Sequence, residues 1–212
     1  MKRNDFIKVF ILGLLIGILI QPILANVVSW QLTLALRFAV AIGFAVFAMI
    51  ALAVAHVVDK FLKGIYQFAQ FAAVGTLNTF VDIGVFNLAA FLFGGAAAIG
   101  TVAFAVFKAI SFLCATTNSF FWNKYWTFHS TDEAKAGQVA SFFAVAVGGL
   151  LLNTGAGTLI NAAQPHALSL TMVRLWSHLI APGAGVVASF LWNFLWYKYV
   201  VFKKSASAQG TV

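Results

Sequence analysis

Charged residues and cysteine are both scarce in this sequence. Only 8% of the 212 residues are Asp, Glu, Lys or Arg, whereas soluble domains carry about a quarter, and this excludes a soluble globular fold. The single cysteine, Cys114, excludes a disulfide framework and a metal site built on paired thiolates. Because Cys114 lies within an apolar run, we interpret it as a small packing residue.

Acidic residues are especially few, which limits the chemistry available to an enzyme. Four of the five acids are predicted to lie in cytoplasmic segments, without forming a carboxylate pair in a cleft: Asp5, Asp59, Asp132 and Glu133. The sequence has no Gly-rich phosphate loop, no cluster of metal ligands and no arrangement typical of a catalytic nucleophile. We therefore predict that the protein is not an enzyme and has no catalytic residue, metal or cofactor.

Long apolar runs are what the sequence does contain. Hydrophobic residues make up 62% of the chain, and the mean hydropathy is +0.97. About 20 apolar residues cross a bilayer, and each run must be a helix because the bilayer interior satisfies no main-chain polar group. We predict an all-α, polytopic transmembrane bundle with six spans, at about 6–25, 33–57, 67–93, 98–123, 138–160 and 173–198. Residues 1–25 resemble a signal peptide, but another span follows directly, so we favour an uncleaved first helix.

Basic residues are distributed unevenly between the predicted spans. Arg37 and Arg174 lie near one side of the membrane, and Lys108 is inside a span. The other ten fall on the opposite side: Lys2, Arg3, Lys8, Lys60, Lys63, Lys124, Lys135, Lys198, Lys203 and Lys204. Cytoplasmic loops carry the excess of Lys and Arg, so we predict an inner-membrane protein with both termini in the cytoplasm. The dispersed cations form no nucleic-acid-binding patch, and the polar tail 205–212 is predicted to be disordered.

Two segments of the chain end in nearly the same way. Residues 119–128 and 193–202, 74 positions apart, share Phe, Trp, Lys, Tyr and Phe at five of ten positions. Trp, Tyr and Lys are typical of the membrane interface, where a lysine keeps its charge in water. Upstream, at an offset of 71, residues 71–74 correspond to 142–145, and Asp82 corresponds to Asn153.

The duplication predicts two parallel repeats, each made of two helices that return the chain to its starting side. The repeats cover about 66–130 and 137–203 within a four-helix domain at 61–204. Residues 1–60 have no counterpart and are predicted to form an added transmembrane hairpin.

The residues of the first repeat resemble those of a known family. Its motifs are Gln70-Phe-Ala-Ala-Val-Gly-Thr-Leu-Asn-Thr-Phe-Val-Asp82, which opens one helix, and Asn118-Ser-Phe-Phe-Trp-Asn-Lys-Tyr-Trp-Thr-Phe128, which closes the next. Together with a weaker copy ending near Asn193 and Lys198, they resemble the GtrA-like family over about 66–203. The resemblance implies a small membrane protein of cell-surface polysaccharide synthesis. Such proteins are proposed to move polyprenyl-phosphate-linked sugars across the membrane, often beside a polyprenyl-phosphate glycosyltransferase.

Two ionisable residues lie inside the predicted spans. Asp82 and Lys108 belong to the two helices of one hairpin, so an ion pair between them is geometrically plausible. A charge at the centre of a span costs about 2.5–3.5 kcal/mol on insertion scales, so each of these residues needs a partner or a function that offsets this cost. One interpretation is a structural pair that neutralises itself. The other is a cation that holds a lipid phosphate and a carboxylate that accepts sugar hydroxyls or a proton.

Polar residues also recur at helical spacing around that pair. Asn78 and Asp82 share a face of one helix, and Lys108, Asn118 and Trp122 share a face of the next. Such stripes suit either a groove for a sugar headgroup or close helix packing, and both interpretations stay open. The candidate sugar-binding or polar-path residues are Asn78, Asp82, Asn118, Asn123, Trp122, Trp126, His178 and Asn193.

Four cations are candidate phosphate ligands: Lys108, Arg174, Lys124 and Lys198. Arg174 can form a bidentate fork with a phosphate, or it can fix the position of the helix. Lys124 and Lys198 are either interfacial anchors or phosphate receptors set among Trp and Tyr side chains. His178, close to Arg174, is interpreted as a proton relay or as a packing residue. The segment that follows, 181–185, contains Pro182, which predicts a kink or hinge in the helix.

Two functions follow from these observations. The first is translocation of a polyprenyl-phosphate-linked monosaccharide, along a path between the repeats and driven by consumption of the lipid outside. The second is a membrane scaffold for a glycosyltransferase, which would use residues 124–138 and the tail. The expected partners are the lipid-linked sugar, membrane lipids, a glycosyltransferase and a second copy of the chain.

Overall fold

The computed structural model of the protein describes residues 3–21, 24, 33–93, 100–130, 132–165 and 169–203, with only the main chain at 174, 178 and 179. These residues form helices and no strand, which confirms the predicted all-α class. The α-helices are α1 (Arg3–Leu19), α2 (Leu34–Val58), α3 (Ile65–Leu92), α4 (Thr101–Trp122), α5 (Ala136–Ala162), α6 (Leu170–Leu175) and α7 (Ala181–Trp196). Three π-helical turns continue α4, α6 and α7: Asn123–Thr127, Trp176–Ile180 and Tyr197–Val201.

Four helices are long and apolar enough to cross a bilayer within the described part of the chain. They are Leu34–Val58, Ile65–Leu92, Thr101–Thr127 and Ala136–Ala162. Helix α1 has 17 residues, and the last predicted span is divided by π turns into α6 and α7. The chain is thus a multi-pass helical membrane protein. The tail 205–212 and most of the predicted loops at 26–31 and 94–100 lie outside the described residues.

The chain divides into two compact units, Met1–His129 and Ser130–Val212. In the first unit, α1 and α2 pack against α3, so the N-terminal hairpin shares its packing with the first repeat. The core of this unit contains Val9, Leu12, Ile16, Leu52, Val74, Leu77 and Trp126. The predicted division of the chain near residue 60 stays a prediction about its domains.

Small residues hold α1 and α2 close together. A Cβ added to Gly13 would lie 2.7 Å from the Cα of Ala45, and one added to Gly17 would lie 2.5 Å from the Cα of Ala41. Glycine therefore permits a backbone approach that no other residue allows. Membrane helices commonly associate in this way, because small residues increase van der Waals contact where lipid offers no hydrophobic driving force.

The turn between α2 and α3 is fixed by Asp59. Its Oδ1 accepts the main-chain N–H of Gly64 at 2.8 Å and that of Tyr66 at 3.1 Å. Gly64 has φ 94°, a left-handed conformation that glycine adopts without a Cβ penalty. Hydrogen bonds from these main-chain N–H groups, the one from Tyr66 first, hold the pKa of the Asp59 carboxyl below its ordinary value.

In the second unit, α5 packs against α7, and Trp192 Nε1 donates to the main-chain oxygen of Val145 at 3.2 Å. Helix α7 begins at Ala181, whose N–H bonds to the oxygen of Trp176 across the preceding π turn. Pro182 follows at the next position and lacks the N–H that an α-helix needs, which is compatible with a widened turn here. The predicted kink or hinge stays a prediction.

The two similar segments, residues 119–128 (the first exit) and 193–202 (the second exit), adopt the same local structure. The π turn at 123–127 lies 74 positions before the π turn at 197–201. The N–H of Phe128 bonds to the oxygen of Asn123 at 2.8 Å, and the N–H of Phe202 bonds to the oxygen of Tyr197 at 2.9 Å. The offset is the one at which the sequences match, so the likeness extends from the residues to the backbone.

Candidate functional site

An ion pair joins α3 to α4 in the first unit. Lys108 Nζ donates to Asp82 Oδ2, as the sequence led us to expect. The hydroxyl of Ser111, one turn along α4, donates to Asp82 Oδ1 at 2.6 Å. Both carboxylate oxygens are thus engaged by neighbours that lie on one face of α4.

The ion pair is open to the surroundings of the unit. The Lys108 side chain is 51% exposed and that of Asp82 is 25% exposed. A structural pair is stabilised best when each charge is fully covered by its partner, since an uncovered charge in lipid is costly. An ammonium also has three donors, so Lys108 keeps the capacity to bind an anion while it remains bonded to Asp82.

Two asparagines near the pair offer unpaired polar atoms. Asn78 Oδ1 and Asn118 Nδ2 are buried and have no hydrogen-bond partner in the described part of the chain. Asn78 lies one turn before Asp82 on α3, and Asn118 lies two turns after Ser111 on α4. One offers an acceptor and the other a donor, which is a combination that suits a ligand bearing hydroxyl groups.

The first exit is buried, in contrast to the expected interfacial anchor. Lys124 and Asn123 have no exposed surface, and Trp126 is only 1% exposed. Helix α3 packs against this turn. From α1, Asp5 accepts the Trp126 Nε1–H on Oδ1 at 3.0 Å and the Tyr66 hydroxyl on Oδ2 at 3.1 Å. The prediction that Lys124 keeps its charge in water is therefore wrong for the first unit.

Aromatic rings surround this turn, as the sequence predicted. The rings of Trp122 and Trp126 meet edge to face with centroids 5.7 Å apart. Lys124 Nζ lies 5.7 Å from the centroid of the Tyr125 ring. Lys124 thus lies beside one aromatic ring, that of Tyr125, which is itself half exposed.

Two acidic residues, Asp5 and Asp59, line one cleft of the first unit. A cavity of about 460 Å³ is lined by Asp5, His56, Asp59, Tyr66, Gln67, Gln70, Thr127 and His129. Sequence reasoning gave no role to Asp5, Gln70 or Thr127. Nothing in the sequence marks Asp5 as a partner of Trp126, 121 positions away. Among the described residues, no group of three or more His, Cys, Asp and Glu is placed to hold a metal.

The second unit differs from the first at the equivalent positions. At the offset of 74, Pro182 stands where the first repeat has Lys108, and at the offset of 71, Asn153 replaces Asp82. Asn153 Nδ2 lies 3.4 Å from Ser189 Oγ. Asn153 and Pro182 line an open polar groove of about 310 Å³, together with Thr154, Gly157, Thr158, Asn161, Ser177 and Ala181. This unit therefore has a neutral groove where the first has an ion pair.

The remaining predicted residues of the second unit lie on α6, α7 and their π turns. Lys198 is partly exposed, with Nζ 5.4 Å from the centroid of the Phe194 ring and 5.5 Å from that of Tyr199. Asn193 lies against Gly149, and its Oδ1 has no partner in the described part of the chain. The side chains of Arg174 and His178 lie outside the described residues, so their roles stay predictions.

The helical architecture and the first-repeat motifs agree with a comparison against protein families. The profile of the family described as GtrA/DPMS, transmembrane domain, matches residues 70–202, which is more than half of the chain. Comparisons with curated proteins and with solved structures give no significant match. Proteins of this family are membrane proteins connected with polyprenyl-linked sugars and glycosylation. The chain belongs to the GtrA/DPMS transmembrane domain family.

Proposed function

We propose that this protein moves a polyprenyl-phosphate-linked monosaccharide from the cytoplasmic to the outer leaflet of the cell membrane. The family supports a polyprenyl-linked sugar as the cargo. The ten cations predicted on one side support a cytoplasmic location for both termini. The lipid is consumed outside, so transport runs downhill and needs no nucleotide.

The observation that carries this proposal is the open ion pair of Asp82 and Lys108. The ammonium is half exposed although it belongs to a helix that is apolar enough to span a membrane. A phosphate that approaches Lys108 meets a cation already held in place, and the charge of the phosphate offsets the cost of exposing that cation. Asp82, released in part from Lys108, then accepts hydroxyl groups of the sugar.

Polar groups beside the pair extend this assignment. Asn78 and Asn118 offer an unpaired acceptor and an unpaired donor to the sugar. Lys198, which is partly exposed, is a phosphate ligand at the second exit, and Arg174 serves the phosphate near the outer face. Lys108 places a cation beside the phosphate on this path, which lowers the cost of bringing the phosphate into the bilayer.

The test is transfer of a fluorescent polyprenyl-phosphate-hexose between leaflets of proteoliposomes that contain the purified chain. A single substitution at Asp82 or Lys108 leaves a lone charge and harms structure and function alike. The double variant Asp82→Asn with Lys108→Gln removes both charges together and preserves the side-chain volumes. We expect it to remain folded and to lose most of the transfer activity.

A second double variant separates ion pairing from phosphate binding. Asp82→Lys with Lys108→Asp keeps an ion pair between α3 and α4 but moves the cation to α3. If the pair is only structural, this variant transfers lipid as fast as the wild type, and the proposed role is overturned. Equal transfer with and without wild-type protein would reject translocation and leave the glycosyltransferase scaffold, tested by co-purification of that enzyme.

A further inference from the structure

The cavity of the first unit combines two parts of the chain that differ in origin. Asp5, His56 and Asp59 belong to the N-terminal hairpin, which the family profile does not cover. Gln70 and Thr127 belong to the matched region. The hairpin thus adds acidic and imidazole groups to the wall of a cavity whose other side is built by the family domain.

Two buried polar groups of this cavity wall have no protein partner. Gln70 and Thr127 are each 1% exposed. Gln70 Nε2 and Thr127 Oγ1 have no hydrogen-bond partner in the described part of the chain. Buried polar atoms are normally satisfied, and an exception needs an explanation. A ligand that accepts a hydrogen bond from Gln70 and exchanges one with Thr127 supplies that explanation.

The charge of the wall defines the chemistry of the ligand. Two carboxylates line the cavity, whereas none of its described lining residues is Lys or Arg. A phosphate is repelled by such a wall, but sugar hydroxyls donate to carboxylates and accept from amides. The His56 and Tyr66 rings, with centroids 5.2 Å apart, add an apolar surface for the ring face of a sugar. The cavity volume of about 460 Å³ is in the range of small-molecule sites.

We propose that this cavity is a second sugar site, separate from Asp82, Asn78 and Asn118, in which the hydroxyl groups of the substrate's sugar ring bond to Asp5, Asp59, Gln70 and Thr127. The assignment rests on the proposed function for the source of the sugar, a lipid-linked hexose. It also gives the N-terminal hairpin a role: Asp5 arrives on α1, and Asp59 arrives at the end of α2. A free saccharide has the same hydroxyl groups as a lipid-linked one. The experiment therefore compares free hexoses with lipid-linked hexoses to identify the source of the sugar.

The test measures equilibrium binding to the full chain in nanodiscs. The probes are radiolabelled polyprenyl-phosphate-glucose, -galactose and -mannose, unglycosylated polyprenyl phosphate, and the three free hexoses. The variants are Gln70→Met and Thr127→Val, which remove the unpartnered atoms and keep the volumes. Removing an unsatisfied buried group does not harm folding, so we expect their melting temperatures to equal or exceed that of the wild type.

We expect each variant to bind at least one glycosylated lipid about tenfold more weakly, while its affinity for polyprenyl phosphate stays unchanged. The matched control is Thr79→Val, since the Thr79 hydroxyl bonds to the main-chain oxygen of Gly75 and does not line the cavity. Unchanged affinity in both variants, or wild-type binding that ignores the sugar, would overturn the proposal. Equal affinity for free hexose would identify a soluble saccharide as the ligand and would reject the lipid-linked source.

The outcome for the cavity is independent of the outcome for translocation. If wild-type protein transfers the lipid-linked sugar but Gln70→Met and Thr127→Val both bind it normally, only the cavity assignment fails. If the variants lose sugar binding although wild-type protein transfers nothing, translocation fails and the cavity remains a sugar site.

Discussion

Gln67 Nε2 donates to the main-chain oxygen of Thr127 at 3.1 Å, and so joins the first turn of α3 to the π turn that ends α4. Gln138 forms the same bond in the second unit, from Nε2 to the oxygen of Val201 at 3.0 Å. Gln138 follows Gln67 by 71 positions and Val201 follows Thr127 by 74, the two offsets of the sequence repeat. Each helix pair is therefore closed by one side-chain amide.

An aromatic contact accompanies each of these bonds. The rings of Phe71 and Phe128 have centroids 6.4 Å apart, and those of Phe142 and Phe202 are 5.8 Å apart. A helix end leaves carbonyl groups without intrahelical partners, and these must be satisfied where water is excluded. The glutamine supplies a donor and the phenylalanines fill the space beside it, which explains why these positions match between the repeats.

Loss of the glutamine bond is expected to destabilise each unit. Gln67→Leu or Gln138→Leu leaves a main-chain oxygen without its side-chain donor, and we expect each to lower the free energy of unfolding by about 1 kcal/mol. Thermal unfolding of the purified protein in detergent measures the effect. Gln164→Leu is the control, because among the described residues the Gln164 side chain makes only a weak bond, accepted by its Oε1 from Ser177 Oγ at 3.4 Å. Wild-type stability in both glutamine variants would show that the bond contributes little.

The ion pair of Asp82 and Lys108 is expected to contribute to the free energy of unfolding as well as to transport. Asp82→Asn leaves the Lys108 ammonium without its carboxylate, and we expect a loss of up to about 3 kcal/mol of unfolding free energy. Adding Lys108→Gln should restore stability to within about 1 kcal/mol of the wild type, since neither charge remains. Unfolding titrations in mixed micelles complete the double-mutant cycle. Additive losses would mean that the two residues are not coupled.

Close packing of α1 on α2 predicts a strong effect of one methyl group. Gly17→Ala places its Cβ against the backbone of Ala41, which cannot move without separating the helices. We expect it to lose about 1–3 kcal/mol. Gly43→Ala on α2 is the matched control, because its Cβ would meet nothing within 4 Å. Its melting temperature should equal or exceed that of the wild type, and equal losses at both positions would contradict the packing argument.

The Asp59 turn predicts a dependence on pH. The pKa of this carboxyl is lowered from 3.8 because the main-chain N–H groups of Tyr66 and Gly64 favour its charged form. Its stabilisation is therefore fully present above pH 3.8 and is lost as the pH falls through the lower pKa of the folded state. The melting-temperature difference between wild type and Asp59→Asn should shrink over that acidic range. A difference independent of pH would exclude a role for the charge.

The sequence predicted the positions of the helices better than it predicted the contacts between helices that are distant in the chain. Predicted spans at 33–57 and 67–93 agree closely with α2 and α3, because apolar length alone determines a membrane helix. The pairing of Asp82 with Lys108 was also accessible, since two adjacent helices of a hairpin must lie side by side. The contact of Trp126 with Asp5 was not, because Asp5 lies on α1, 121 positions earlier.

Sequence by itself thus determined a multi-pass helical protein with a duplicated helix pair and one charged pair within its spans. These properties depend on local composition and on contacts between neighbouring helices, which a linear pattern records. Only the tertiary structure decided that Asp5 meets Trp126 and that Asp5, Asp59, Gln70 and Thr127 line one cavity. Those contacts depend on how the N-terminal hairpin packs on the first repeat, and no sequence period encodes that packing.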